Sequence, residues 1–167
     1  MAKILVVYSS KGGNTKALAE EIAKGADEVR GMEVVVKRAG EVTNEDLLSI
    51  DGLIVGSPVY FGGMSSEVKE MFDRSVTIRR KLEGKIGASF ATSGHPTGGK
   101  ETTMLSILQA MLIHGMVVIG DPISAGGHYG VGTVGSPDRE AQMAGRELGQ
   151  RVARLSKILK GEDYSSY

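Results

Sequence analysis

The 167-residue chain contains no cysteine and no tryptophan, and its twenty Lys and Arg residues cancel its twenty Asp and Glu residues. Without cysteine there is no disulfide scaffold, zinc ribbon, iron–sulfur cluster, thiol redox motif or cysteine nucleophile, and a reducing, cytoplasmic compartment is expected. Three scattered histidines lack the spacing of a ligand set, so no metal site is expected. The zero net charge leaves no global field to attract nucleic acid or an acidic membrane surface. Apolar runs such as Ile4–Val7 and Met116–Ile119 are far too short to cross a bilayer, which excludes membrane insertion. The opening Met1-Ala2-Lys3-Ile4 enters a strand-like run directly, without the layout of a signal peptide. What the chain has in excess is glycine: 24 residues, about twice the usual share. They follow no period, which excludes collagen and repeat architectures. They cluster after apolar runs, where a loop must approach something closely.

Five short Val- and Ile-rich runs predict strands buried on both faces: Lys3–Tyr8, Glu33–Lys37, Gly52–Gly56, Ile86–Ala91 and Met116–Gly120. Helical spacing fills the intervals. Leu18, Ile22, Ala26 and Val29 follow cap candidates at Asn14 or Thr15 and end at Gly31. A short helix is predicted over Asn44–Ser49 and others over Ser66–Ser75 and Glu101–His114. The last is the clearest, with Ala141, Ala144, Leu148, Val152, Leu155 and Leu159 on one stripe. Strands alternating with helices predict a doubly wound α/β domain with a parallel sheet over residues 1–160, followed by a polar tail, 161–167, expected to fray.

In such sheets ligands bind beyond the carboxyl ends of the strands. Four glycine-rich loops follow the predicted strands: Ser9–Thr15, Ser57–Met64, Thr92–Gly99 and Gly126–Gly130. The first has the chemistry of a phosphate site, with a pliable backbone opening into a helix and hydroxyl or amide donors on Ser10, Asn14 and Thr15; an ordinary capped strand–helix turn is the alternative. Gly12-Gly13-Asn14 does not supply the G-x-G-x-x-G dinucleotide fingerprint. Gly94–Glu101 nearly matches a nucleoside-triphosphate loop, but Glu101 stands where that loop places Ser or Thr, and the segment follows strand four.

Ser10-Lys11-Gly12-Gly13-Asn14-Thr15 resembles the S/T-x-T-G-N-T phosphate loop of flavodoxins, with Gly12 in place of a threonine. The chain as a whole is most similar to the tryptophan-repressor-binding-protein type of NAD(P)H:quinone oxidoreductase. The features that carry this are Ala2–Tyr8, Val34–Arg38, the S-P-x-x-F-G-x-M pattern at Ser57–Met64, the Thr92–Gly99 loop and His114-Gly115-Met116. The chain is shorter than that family around Val76–Glu83, and it lacks the family's tryptophan. The resemblance implies a flavodoxin-like five-stranded sheet of order 2-1-3-4-5, an FMN cofactor, NAD(P)H as electron donor, a quinone or similar small acceptor, and a homodimer or homotetramer.

It also implies roles for residues. Ser10, Lys11, Gly12, Gly13, Asn14 and Thr15 would hold the phosphate. Pro58, Val59, Tyr60, Phe61 and Gly62 would run along the isoalloxazine. Thr92, Ser93, Gly94, His95, Thr97 and Gly98 would close its pyrimidine end. Tyr129 would join the rim, and His114 would lie near the flavin edge or, alternatively, cap its helix. Arg79-Arg80-Lys81 reads as a solvated face or as a contact for a dinucleotide phosphate. The flavin carries the chemistry, so no catalytic triad is expected. The function expected is two-electron oxidoreduction; the alternative is a one-electron carrier between redox proteins. Carriers of this kind are strongly acidic, which this chain is not.

Overall fold

The computed structural model describes residues 1–161; apart from Gly161, the predicted tail lies outside the described residues. The chain runs β1 (Ala2–Tyr8), α1 (Asn14–Asp27), β2 (Met32–Arg38), α2 (Asn44–Leu48), β3 (Gly52–Pro58), α3 (Ser66–Arg74), β4 (Ile86–Ser93), α4 (Lys100–Ile113), β5 (Val117–Val118), β6 (Val131–Val134) and α5 (Arg139–Lys160). All strand pairs are parallel, in the order β2-β1-β3-β4-β5, with β6 also on β4. This is the expected sheet order.

The strands alternate, although both faces are buried. Ile4, Val6 and Ile54 face a core made by α1 and α5, with Leu18, Ile22, Leu148 and Val152. Leu5, Val7, Leu53 and Val55 face the opposite core, with Val68, Met71, Ile107 and Met111 of α3 and α4. On the first side α1 and α5 touch backbone to backbone. A Cβ on Gly149 would lie 2.0 Å from the Ile22 carbonyl oxygen, and one on Gly25 would lie 2.0 Å from that of Arg146. That closeness requires glycine at the crossing.

The predicted fifth strand is corrected by the structure. Only Val117 and Val118 pair with β4 before the chain leaves the sheet. The buried Asp121 carboxylate then accepts from the N–H groups of Gly127 (3.0 Å) and His128 (2.7 Å), which folds residues 121–128 into a compact excursion. Pairing resumes three positions beyond Gly87 on β4, at Phe90↔Val131, and ends at Ser93↔Val134. Helix ends explain the other boundaries: Thr43 and Asp46 form a capping box on α2, Ser65 caps α3 and Asp138 caps α5.

Candidate functional site

The strand registers bring Tyr8, Pro58, Ser93 and Val134 to one edge of the sheet. There a cavity of about 190 Å³ is lined by Ser10, Lys11, Gly12, Asn14, Thr15, Pro58, Val59, Tyr60, Thr92, Ser93, Gly94 and Gly135.

Its floor is the start of α1. Gly13, at φ +93°, holds the N-cap position and supplies no side-chain cap. Neither Asn14 nor Thr15 caps the helix, contrary to the expectation for an ordinary turn. The amide groups of the first turn therefore face the cavity as open donors, at the positive end of the helix dipole. Ser10 Oγ accepts from the Gly13 N–H at 3.0 Å, which curls the loop. The buried Thr15 hydroxyl meets the Thr92 hydroxyl at 2.8 Å. That bond consumes one of the pair's two hydrogens and leaves the other for a ligand.

The second loop is tied to the third, as the Val59 N–H donates to the Thr92 carbonyl at 2.8 Å. Tyr60 and Gly63 exchange both backbone bonds at 3.1 Å across Phe61 and Gly62, whose φ values are +49° and +74°. This is the conformation of a two-residue type I′ turn. Phe61 is the only non-glycine with positive φ among the described residues, and its side chain is fully exposed. A strained backbone that presents an aromatic ring to solvent at a cavity rim is characteristic of functional loops. In the third loop, the Thr97 N–H donates to His95 Nδ1 at 3.2 Å. His95, Thr97 and Gly98 are exposed and stand beyond the lining.

Two predicted residues are not brought here. His114 follows the 14 residues of α4, which runs antiparallel to the strands, so it lies about 20 Å from the cavity edge by helix rise. It is buried there, with Nε2 2.8 Å from Ser75 Oγ and Nδ1 3.2 Å from the Arg79 carbonyl oxygen. Arg79, which donates to the Ile113 carbonyl, shares that distant end. Tyr129 precedes β6, and its carbonyl accepts from Ser89 Oγ at 3.4 Å. It is level with the middle of β4 because the chain leaves the sheet between β5 and β6.

Residues the sequence reading did not single out take part. Gly135 lines the cavity, and Ser136 Oγ donates to Asn14 Oδ1 at 3.0 Å, tying the loop after β6 to the first loop. The signal was the short alternating run Val131-Gly132-Thr133-Val134. Glu67 in α3 accepts from Ser9 Oγ (2.7 Å), from Arg38 Nε (2.7 Å) and from the Gly40 N–H (3.3 Å). It thereby clamps the residue that leads into the first loop. Burial raises the Glu67 pKa, but the Arg38 and Ser9 hydrogen bonds outweigh it, and the carboxyl sits below its ordinary 4.5. A carboxyl depressed in the folded state contributes stability that is present above its unfolded value and lost as pH falls through the folded one. Glu67→Gln is therefore expected to flatten the decline of the thermal midpoint below pH 4.5, measured by circular dichroism against the wild type.

Comparison with known proteins follows the same lines. Residues 36–130 match the family described as NADPH-dependent FMN reductase. An NAD(P)H dehydrogenase (quinone) of Archaeoglobus fulgidus is 37% identical over 191 aligned positions, covering 95% of this chain and 100% of the relative. A flavodoxin of Aquifex aeolicus is 40% identical over 164 positions, covering 95% and 89%. The crystal structure of a WrbA-like flavodoxin protein from Agrobacterium tumefaciens shares the fold, with a TM-score of 0.80 at 24% identity over 95% of this chain and 99% of that one. The sheet order, the uncapped first helix and the extent of these matches converge: the chain belongs to the flavodoxin-like NADPH-dependent FMN reductase family.

Proposed function

We propose that this chain binds FMN and works as a two-electron NAD(P)H:quinone oxidoreductase. The observation that carries the reading is the uncapped first turn of α1, which faces a cavity walled by the loops after β3 and β4. The donor set there fits a phosphomonoester: open amides, the Ser10 hydroxyl and the spare hydrogen of the Thr15–Thr92 pair. When bound, FMN supplies hydride acceptance and release, the chemistry that no side chain of this protein provides.

The protein's part is binding and orientation. Ser10, Thr15 and the amides of residues 12, 14 and 15 would hold the phosphate, the Gly13 amide being taken by Ser10 Oγ. Pro58, Val59 and Tyr60 would lie along the ring, with the Phe61-Gly62 turn at its edge. Thr92, Ser93 and Gly94 would offer donors to its pyrimidine end, and His95, Thr97 and Gly98 would cover that side. The apolar side chains Tyr60 and Phe61, both exposed at the rim, suit a planar donor or acceptor stacking on the ring. Thr15→Ala is expected to weaken FMN by about 1.5–3 kcal/mol, the cost of a lost hydrogen bond to a charged group. Flavin fluorescence titration measures it, and an unchanged constant would move the phosphate elsewhere.

A one-electron carrier is the second reading. It is favoured by the Aquifex aeolicus flavodoxin, aligned over 164 positions, whereas the alignment with the quinone dehydrogenase needs 191, more than this chain's 167 residues. Adding NADH or NADPH to the FMN-loaded protein without oxygen separates the two. Rapid bleaching of the flavin absorbance makes it an oxidoreductase; persistent yellow colour with normal dithionite reduction makes it a carrier. Assembly as a homodimer or homotetramer, and a cytoplasmic location, belong to the same proposal; light scattering on the purified protein reads the first.

A further inference from the structure

Next to the FMN cavity, on the other side of Tyr60, lies a second cavity of about 230 Å³ that shares Lys11 and Tyr60 with it. Its remaining lining comes from Ser9, Arg38, Ser65, Ser66 and Glu67. Two cations reach it from different elements. Lys11 Nζ sits 5.7 Å from the centre of the Tyr60 ring and has no carboxylate within ion-pair distance among the described residues. Arg38 holds Glu67 through Nε and Nη2, which leaves its Nη1 hydrogens for another partner. The Glu67 carboxylate is turned inward: one oxygen takes Arg38 Nε and the Gly40 N–H, the other takes Ser9 Oγ and Arg38 Nη2. It cancels one of the two positive charges, and Lys11 keeps the cavity net positive. Ser66 adds a hydroxyl and a backbone N–H, neither with a hydrogen-bond partner among the described residues. The cavity thus presents unspent donors and a positive charge beside the place where an electron donor must reach the flavin.

We infer that this cavity is a phosphate subsite for the nicotinamide dinucleotide donor, with Arg38 and Lys11 as the residues that grip the phosphate. The inference rests on the oxidoreductase reading above. The shared chemistry is a phosphate group with at least two unesterified oxygens, which matches Arg38 side-on and Lys11 as a point charge. Within the dinucleotide it has two sources: the ribose 2′-phosphate that distinguishes NADPH from NADH, and the pyrophosphate common to both. The Arg79-Arg80-Lys81 run has no part in it, since Arg79 is bound to the Ile113 carbonyl at the far end of α4.

The test is equilibrium binding to the FMN-loaded protein by isothermal titration calorimetry, with 2′-AMP, 5′-ADP and adenosine as probes. At least one phosphorylated probe is expected to bind ten times or more tighter than adenosine, with the difference shrinking as salt rises. Arg38→Gln and Lys11→Gln are each expected to remove about tenfold of that advantage without changing adenosine binding, while Arg38→Lys restores part of it. A preference for 2′-AMP assigns the ribose phosphate and requires faster flavin reduction by NADPH than by NADH. A preference for 5′-ADP assigns the pyrophosphate and equal use of the two donors. Equal binding of all three probes to the wild type, or an undiminished advantage in both Gln variants, overturns the subsite. Because the probes carry no nicotinamide, the result is independent of turnover: a protein that binds them as expected but is not bleached by NAD(P)H refutes the oxidoreductase reading and leaves the phosphate cavity standing.

Discussion

Riboflavin is expected to bind this protein about a thousandfold more weakly than FMN. The two ligands differ only in the phosphate, and the α1 N-terminus offers that group donors with no other partner. Gly13 leaves the first turn uncapped, Ser10 curls the loop around it, and the Thr15–Thr92 pair retains one hydroxyl hydrogen. Three hydrogen bonds to a charged group, at about 1.5 kcal/mol each, correspond to roughly three powers of ten in the dissociation constant. The helix dipole adds to this, and its share is screened by salt. Fluorescence titrations of the apoprotein with both ligands give the ratio directly. A ratio near one would mean that the phosphate lies in solvent and that the first loop is a structural turn.

Gly149→Val is expected to destabilise the protein by about 3 kcal/mol or more, well beyond an ordinary overpacking change. A Cβ at this position would meet the Ile22 carbonyl oxygen at 2.0 Å and the Ala26 nitrogen at 2.8 Å. Both are backbone atoms of α1, so no side-chain rotation relieves the clash and the two helices must separate. Gly12→Ala is the control. Nothing lies within 4 Å of its Cβ, so a stability change below about 0.5 kcal/mol is expected. Urea unfolding gives both values. Because the uncapped first turn of α1, the proposed phosphate site, lies at its other end, Gly149→Val is also expected to weaken FMN, although residue 149 lies far along α5 from the cavity.

Much of the site was legible in the chain because its signals are local. A run of β-branched residues followed by glycines and small polar residues marks a strand end whichever partner that strand takes. Three such ends, after β1, β3 and β4, placed Ser10–Thr15, Pro58–Tyr60 and Thr92–Gly94 correctly at one edge. The loop after the fifth strand was misplaced for the opposite reason. Met116–Gly120 has strand composition, but only Val117 and Val118 pair before the chain turns away, and the Asp121 carboxylate that follows accepts from the distant amides of Gly127 and His128. Pairing then passes to Val131–Val134, and the loop at the cavity becomes Gly135-Ser136 rather than Gly126–Gly130. Tyr129 left the site with that shift.

His114 illustrates the same limit. Its place at the end of a helix was readable, but the direction of that helix relative to the sheet sets which end of the domain it occupies. The resemblance to the oxidoreductase family put it near the flavin; the antiparallel run of α4 puts it beside Ser75 and Phe72. The Phe61-Gly62 turn and the Glu67 clamp are tertiary in origin too. The turn's positive φ values hold because Tyr60 and Gly63 bond to each other, and the clamp joins Ser9, Arg38 and Gly40, which lie 27 to 58 positions from Glu67.

By itself, then, the sequence determined the class of fold, the strand ends that carry glycine-rich loops and the small polar composition of the first of them, which suits a phosphate. These depend on side-chain period and backbone freedom within a few residues. Tertiary structure decided which of those loops meet, where the fifth strand breaks and which cations stand beside the flavin cavity. These depend on pairing between distant segments, and the energy of such pairing resides in neither segment alone.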